Sequence, residues 1–226
     1  MVESWSIAPA LPEGLVFENG SITGIALVNS TTTVYIVSAT NTGGTARTYL
    51  NLSVVEPIAI ISFNESFVIT RGEELLNATV NNTGGMVAIW AIQPSLPLGV
   101  TMLDGVLFGV SEVNMTQTTY TVWANNSGGS ASLSFTLEVL EPRAEVVYDE
   151  GTITLINGVS DRLIVPVMNG GVPDTWFIEP PLPDGLVFIN GYIVGMPKEN
   201  IIETTFTVYA NNSGGTETAN FTLLVN

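Results

Sequence analysis

One phrase recurs three times along the chain, and its spacing limits the architectures open to it. The phrase reads WSIAPALPEGLVFENGSITG from Trp5, WAIQPSLPLGVTMLDGVLFG from Trp90 and WFIEPPLPDGLVFINGYIVG from Trp176, at intervals of 85 and then 86 residues. A fixed period of this length means that one structural unit is repeated. Trp90, Ile92 and Pro94 lie two apart, so their side chains leave the same face of a strand. Leu96-Pro97-x-Gly99 breaks that strand, because proline fixes φ and lacks an N–H while glycine permits a sharp reversal. Val100 and Met102 resume the apolar face, as Leu186 and Phe188 do in the third copy. The pairs Asn19-Gly20, Asp104-Gly105 and Asn190-Gly191 predict two-residue hairpins, since type I′ turns need φ > 0 at both central residues.

Around each phrase the chain reads as short strands separated by turns. Residues 31–40 alternate, with Tyr35, Val37 and Ala39 on one face, before Asn41-Thr42-Gly43-Gly44 and a last strand through Leu50, Leu52 and Val54. The second unit opens with predicted strands at 58–63, 66–70 and 75–80. Tyr120, Val122 and Ala124 then lead to Asn125-Asn126-Ser127-Gly128-Gly129, and 133–139 is a strand of period two. The third unit follows suit, with predicted strands at 144–148, 152–156 and 163–168, and with Phe206, Val208 and Ala210 before Asn211-Asn212-Ser213-Gly214-Gly215. Glu56-Pro57 and Glu141-Pro142 follow equivalent strands and mark short, stiff linkers. The expected division is therefore 1–55, an incomplete unit lacking its first strands, then 56–141 and 142–226. Seven or so strands per unit predict an all-β chain of tandem immunoglobulin-like β-sandwich domains. Trp5, Trp90 and Trp176 are the expected core centres, with Tyr35, Tyr120 and Phe206 as further core residues.

Composition excludes several function classes. Five basic against 21 acidic residues give a net charge of −16, which argues against nucleic acid and anionic lipid as partners. The chain has no cysteine and no histidine, so disulfides, thiolate or imidazole metal sites and any triad using those residues are excluded. No apolar stretch reaches the ~18 residues of a membrane span, so no membrane insertion is expected. The first residues, Met1-Val2-Glu3-Ser4, do not read as a signal peptide, and an export signal is expected outside them.

The motif W-x-I-x-P-x-L-P-x-G, the Asn/Asp-Gly hairpin, the Tyr/Phe-x-Val-x-Ala strand and the Asn-x-Gly-Gly turn together resemble the Ig-like repeats of bacterial and archaeal surface proteins, relatives of the cadherin-like domains found in dystroglycan. The Tyr-x-Val-x-Ala strand also resembles fibronectin type III, which ranks second because the Leu-Pro-x-Gly corner and Asn-Gly hairpin suit it less. The resemblance covers the whole chain and implies spacer or adhesion duty in a long exported protein. Some cadherin-like relatives bind calcium between domains, but their acidic linker motifs are missing here.

The candidate chemistry is sparse. The acids do not recur at equivalent positions (Glu13 is matched by Leu98 and Asp184), so no catalytic residue is expected and no cofactor is implied. Calcium is the one cation worth weighing, on Asp149, Glu150, Asp161, Asp174 and Asp184 in the turns of the third unit. Trp123 and Tyr209 lie on the face opposite the core, as a sugar platform or a packing contact. Ten Asn-x-Ser/Thr sequons occur, at Asn19, Asn29, Asn51, Asn64, Asn77, Asn81, Asn114, Asn125, Asn211 and Asn220, roughly three times the chance expectation. The leading expectation is a non-enzymatic spacer or adhesion segment of a cell-surface or secreted protein, with other protein chains or cell-surface glycans as partners. The alternatives are a filament subunit, a homo-oligomer or fibre completed by strand addition, and a glycan- or protein-binding module.

Overall fold

A computed structural model describes residues 1–148, 151–159 and 163–226, with Leu76 described by its backbone alone. Every regular element among them is a strand. The first unit holds β1 (Ser4–Ala8), β2 (Leu15–Glu18), β3 (Ser21–Gly24), β4 (Ser30–Asn41) and β5 (Gly44–Val54). In the second are β6 (Ile61–Ser62), β7 (Ser66–Thr70), β8 (Glu74–Thr79), β9 (Asn81–Asn82), β10 (Ile89–Gln93), β11 (Val100–Leu103), β12 (Val106–Val110), β13 (Met115–Asn126) and β14 (Gly129–Leu140). The third has β15 (Ala144–Val147), β16 (Thr152–Leu155), β17 (Val167–Gly170), β18 (Thr175–Glu179), β19 (Leu186–Ile189), β20 (Tyr192–Gly195), β21 (Ile201–Asn212) and β22 (Gly215–Val225).

The second unit is a two-sheet sandwich. One sheet runs β10-β13-β14-β7, with β7 parallel to β14, and the other runs β11-β12-β8. The third repeats this as β16-β22-β21-β18, again with β16 parallel to β22, facing the β19-β20 hairpin. Alternation puts Tyr120, Val122, Phe135, Leu137 and Val139 inward in one unit and Phe206, Val208, Phe221, Leu223 and Val225 inward in the other. This pairing of two packed sheets, with a parallel first strand on the last, is the immunoglobulin-like sandwich.

The repeated phrase builds the same corner three times. Leu15, Val100 and Leu186 donate their N–H to the carbonyls of Pro12, Pro97 and Pro183. Gly14, Gly99 and Gly185 take φ of 90°, 88° and 92° between them, as the third position of a type II turn requires. The hairpin centres Asn19-Gly20, Asp104-Gly105 and Asn190-Gly191 all have positive φ. The long hairpin of each unit slips register at one place, near Ser30, Met115 and Ile201.

Three expectations need correction. The stretch 163–168 is not one strand: Ile164 bridges Ile193, and β17 begins only at Val167. Pro166 lies between them and cannot donate to a ladder. In the second unit, 58–63 shrinks to the two residues of β6. The tryptophans are not the core centres. Trp90 and Trp176 are half-buried against the cores, while Trp5 is 41% exposed. The centres are ring stacks, Tyr120 on Phe135 at 5.5 Å and Phe206 on Phe221 at 5.3 Å. Each tryptophan instead lies over the hairpin glycine, where a Cβ on Gly20, Gly105 or Gly191 would meet the indole at 3.0, 2.7 or 2.8 Å.

Candidate functional site

The two linkers are held by one repeated device. In the turn before β14, the Asn126 Oδ1 accepts the Gly128 N–H at 2.9 Å, a side-chain turn that leaves its amide nitrogen free to donate. That nitrogen donates to the carbonyls of Pro57 and Met86 at 2.7 and 3.1 Å, and the Ser127 Oγ accepts the Glu56 N–H at 2.9 Å. In the third unit Asn212 donates to Pro142 and Val172 at 2.8 and 3.4 Å, and the Ser213 Oγ accepts the Glu141 N–H at 2.8 Å. Glycine is required in these turns because the linker backbone passes so close. A Cβ on Gly128 would lie 1.8 Å from the Glu56 carbonyl oxygen, and one on Gly214 would lie 2.2 Å from that of Glu141.

The linker glutamates also reach back to the preceding unit. Asn29 Nδ2 donates to Glu56 Oε1 at 2.6 Å, and Arg71 grips Glu141 Oε2 through Nε at 3.2 Å and Nη2 at 2.7 Å. Each glutamate is therefore a strut, its carboxylate on one unit and its N–H on the next. Charge-assisted bonds of this kind fix direction as well as distance, but the partly exposed Arg71–Glu141 pair adds little to stability. The signal in the sequence was the Glu-Pro recurrence; the partners stand 27 to 72 residues away in sequence and carry no local signature.

The first unit has the same frame without its cover. Its sheets are β1-β4-β5 and β2-β3, and residues 1–55 supply no counterpart of β7 beside β5 or of β8 beside β3. Burial falls at four matching positions. Leu107, Val122, Ala124 and Leu137 are 0% exposed, whereas Ile22, Val37, Ala39 and Leu52 are only half-buried. Tyr35 stays buried, as do Tyr120 and Phe206. Trp5 is more exposed than Trp90, which is flanked by Val80 and Val87.

The other candidate residues are scattered. Asp149, Glu150 and Asp161 lie outside the described residues, and among the described residues no three acidic side chains converge on a point. Asp174 and Asp184 are tied through their backbones to Asn211 and Lys198. Trp123 and Tyr209 are half-buried and belong to different units; Tyr209 packs on Phe177 at 5.8 Å, while Trp123 stands between Ala91 and Ser132. Eight of the ten sequon asparagines are exposed, and Asn125 and Asn211 are half-buried. No helix among the described residues is long and apolar enough to cross a membrane.

Strand order, register and core together define a chain of immunoglobulin-like β-sandwich units in tandem. No protein-family model matches the chain, and no curated protein matches it. Solved structures similar to it include an I-band fragment of titin, 16% identical over 99% of this chain and 89% of that one, with a TM-score of 0.47. Extracellular domains 3–5 of Drosophila OTK are 16% identical over 95% of this chain and 78% of that one, with a TM-score of 0.46. The insect immune protein hemolin is 14% identical over 99% of this chain and 67% of that one, with a TM-score of 0.46.

Proposed function

We propose that the chain is a non-enzymatic repeat segment of an exported or cell-surface protein, serving as a spacer that carries an adhesive part away from its anchor. The observation that supports this is the glutamate strut at two consecutive junctions, seated in the same Asn-Ser-Gly turn each time and held behind by Asn29 at the first and by Arg71 at the second. A spacer needs adjacent units to keep their direction, and a linker bonded on both sides limits the swivel that interdomain linkers otherwise permit. Exposed sequons at eight positions fit glycosylation on export, which mass spectrometry of the secreted chain would reveal. Stretching single molecules tests the spacer reading. The second and third units should each unravel to about 290 Å of extended chain, for about 85 residues at ~3.4 Å per residue, in separate events of similar force. A single concerted rupture, or none, would contradict it. A second reading, a subunit completed by strand addition, is favoured by one observation, the half-open core of the first unit. Saturable binding to a glycan array would move the conclusion to a sugar-binding module.

A further inference from the structure

The Asn41–Gly44 turn of the first unit has the form of the linker seat but holds no linker. Asn41 Oδ1 accepts the Gly43 N–H at 2.9 Å, as Asn126 Oδ1 accepts that of Gly128 at the same distance. Thr42 supplies the hydroxyl in the place of Ser127 and Ser213. Among the described residues the Asn41 amide nitrogen and the Thr42 hydroxyl bond to nothing, whereas their counterparts bind a proline carbonyl and a glutamate N–H. Gly43 is the telling residue. Its φ is not positive, and a Cβ there would meet only Asn41 Oδ1, at 3.2 Å. No backbone of the first unit lies against this position, whereas a linker carbonyl lies against its counterparts Gly128 and Gly214.

The adjoining edge of β5 is open in the matching register. In the second unit Thr136 donates its N–H outward to Glu65, and Phe67 and Ile69 of β7 stand beside Leu137 and Val139. Ile153 and Leu155 stand likewise beside Leu223 and Val225. By the same register Asn51 and Ser53 point their backbone groups outward, and Leu52 and Val54 await apolar neighbours.

We propose that the Asn41–Gly44 turn and the β5 edge form one docking site for an extended polypeptide segment like those that open the second and third units. Its occupant is a Glu-Pro pair followed by a strand with large apolar residues two apart, lying parallel to β5 and supplied by another repeat of this type. The glutamate N–H donates to Thr42 Oγ1, the proline carbonyl accepts from Asn41 Nδ2, and the strand adds its ladder to β5, a mode in which main-chain bonds give affinity and alternate side chains give specificity. This goes beyond the spacer reading and gives the strand-addition reading a site and an occupant.

The test uses the full chain and a labelled synthetic peptide of residues 55–80 of this sequence, followed by fluorescence anisotropy. Saturable binding with one peptide per chain is expected. Gly43→Ala should weaken it by roughly tenfold or more, since the new methyl displaces the linker backbone and its hydrogen bonds, while leaving the melting temperature of the free chain unchanged. Ser53→Pro, which removes one outward N–H, should weaken it independently, and a peptide carrying Phe67→Asp and Ile69→Asp should not bind. Absence of saturable binding, or binding indifferent to both chain variants and to the peptide variant, overturns the proposal. So does self-association of the chain that excess peptide fails to compete, because a second copy's edge would then hold the site. Neither failure would alter the forced-extension pattern of the second and third units, which does not pass through this site.

Discussion

Leu137 and Leu52 occupy the same position in two copies of one fold, and truncating each to alanine should measure how much core the first unit has. Leu137 is 0% exposed and lies in the sealed core of the second unit. Leu137→Ala removes three carbons, worth about 2.4 kcal/mol at ~0.8 kcal/mol per buried carbon. The void it leaves adds roughly 1–2 kcal/mol more, so a loss of about 3–4 kcal/mol is expected. Leu52 is half-buried on an open flank. Its removal forfeits about half the transfer energy, and solvent enters the space, so the expected loss is about 1 kcal/mol. Because a chain of several units does not unfold in one step, the assay is amide hydrogen exchange read separately on β14 and β5. Equal losses at the two sites would refute the account of an open first unit and show its core to be sealed.

Three further outcomes follow from the packing. Gly105→Ala should destabilise the second unit by about 2–4 kcal/mol in a urea melt, since the new Cβ combines positive φ with overlap against Trp90; a neutral result would separate the indole from the hairpin. Burial raises the pKa of Tyr148, whose hydroxyl donates to the Gly191 carbonyl, above its ordinary value of 10.0. A raised pKa contributes stability that is complete below the unfolded value and fades as pH climbs through the folded one. The third unit should therefore weaken above pH 10, and Tyr148→Phe should flatten that slope. Adding EDTA or millimolar calcium should leave the melting temperature unmoved, because a cation that bound only the folded chain would raise it by mass action.

Most of the fold was legible because its signals are local. Period-two alternation gave Tyr120, Val122 and Ala124 their inward face, and positive φ at Asp104-Gly105 follows from a two-residue turn. The place of the tryptophans was not legible in the same way. A large aromatic on a central strand reads as core, but here the ring lies over a hairpin glycine fifteen residues later in sequence, a contact that no periodicity encodes. Gly24, Gly109 and Gly195 close each phrase for a similar reason. A Cβ on them would lie within about 2.3 Å of the carbonyl of Gly14, Gly99 or Gly185, across a ladder that exists only once the hairpin has folded. At the junctions, Glu56 and Glu141 were visible as punctuation, whereas their roles depend on Asn29, Arg71 and two turn serines brought close by the fold.

A glutamate strut that holds consecutive units in one direction is what a spacer needs. Residual dipolar couplings on the second and third units test this most directly, since they report the orientation of each unit against a common frame. A single alignment tensor should describe both units in the native chain, and two different tensors should be needed once Arg71→Ala and Ser213→Ala release Glu141. Two independent tensors in the native chain itself would contradict the strut and the spacer reading with it.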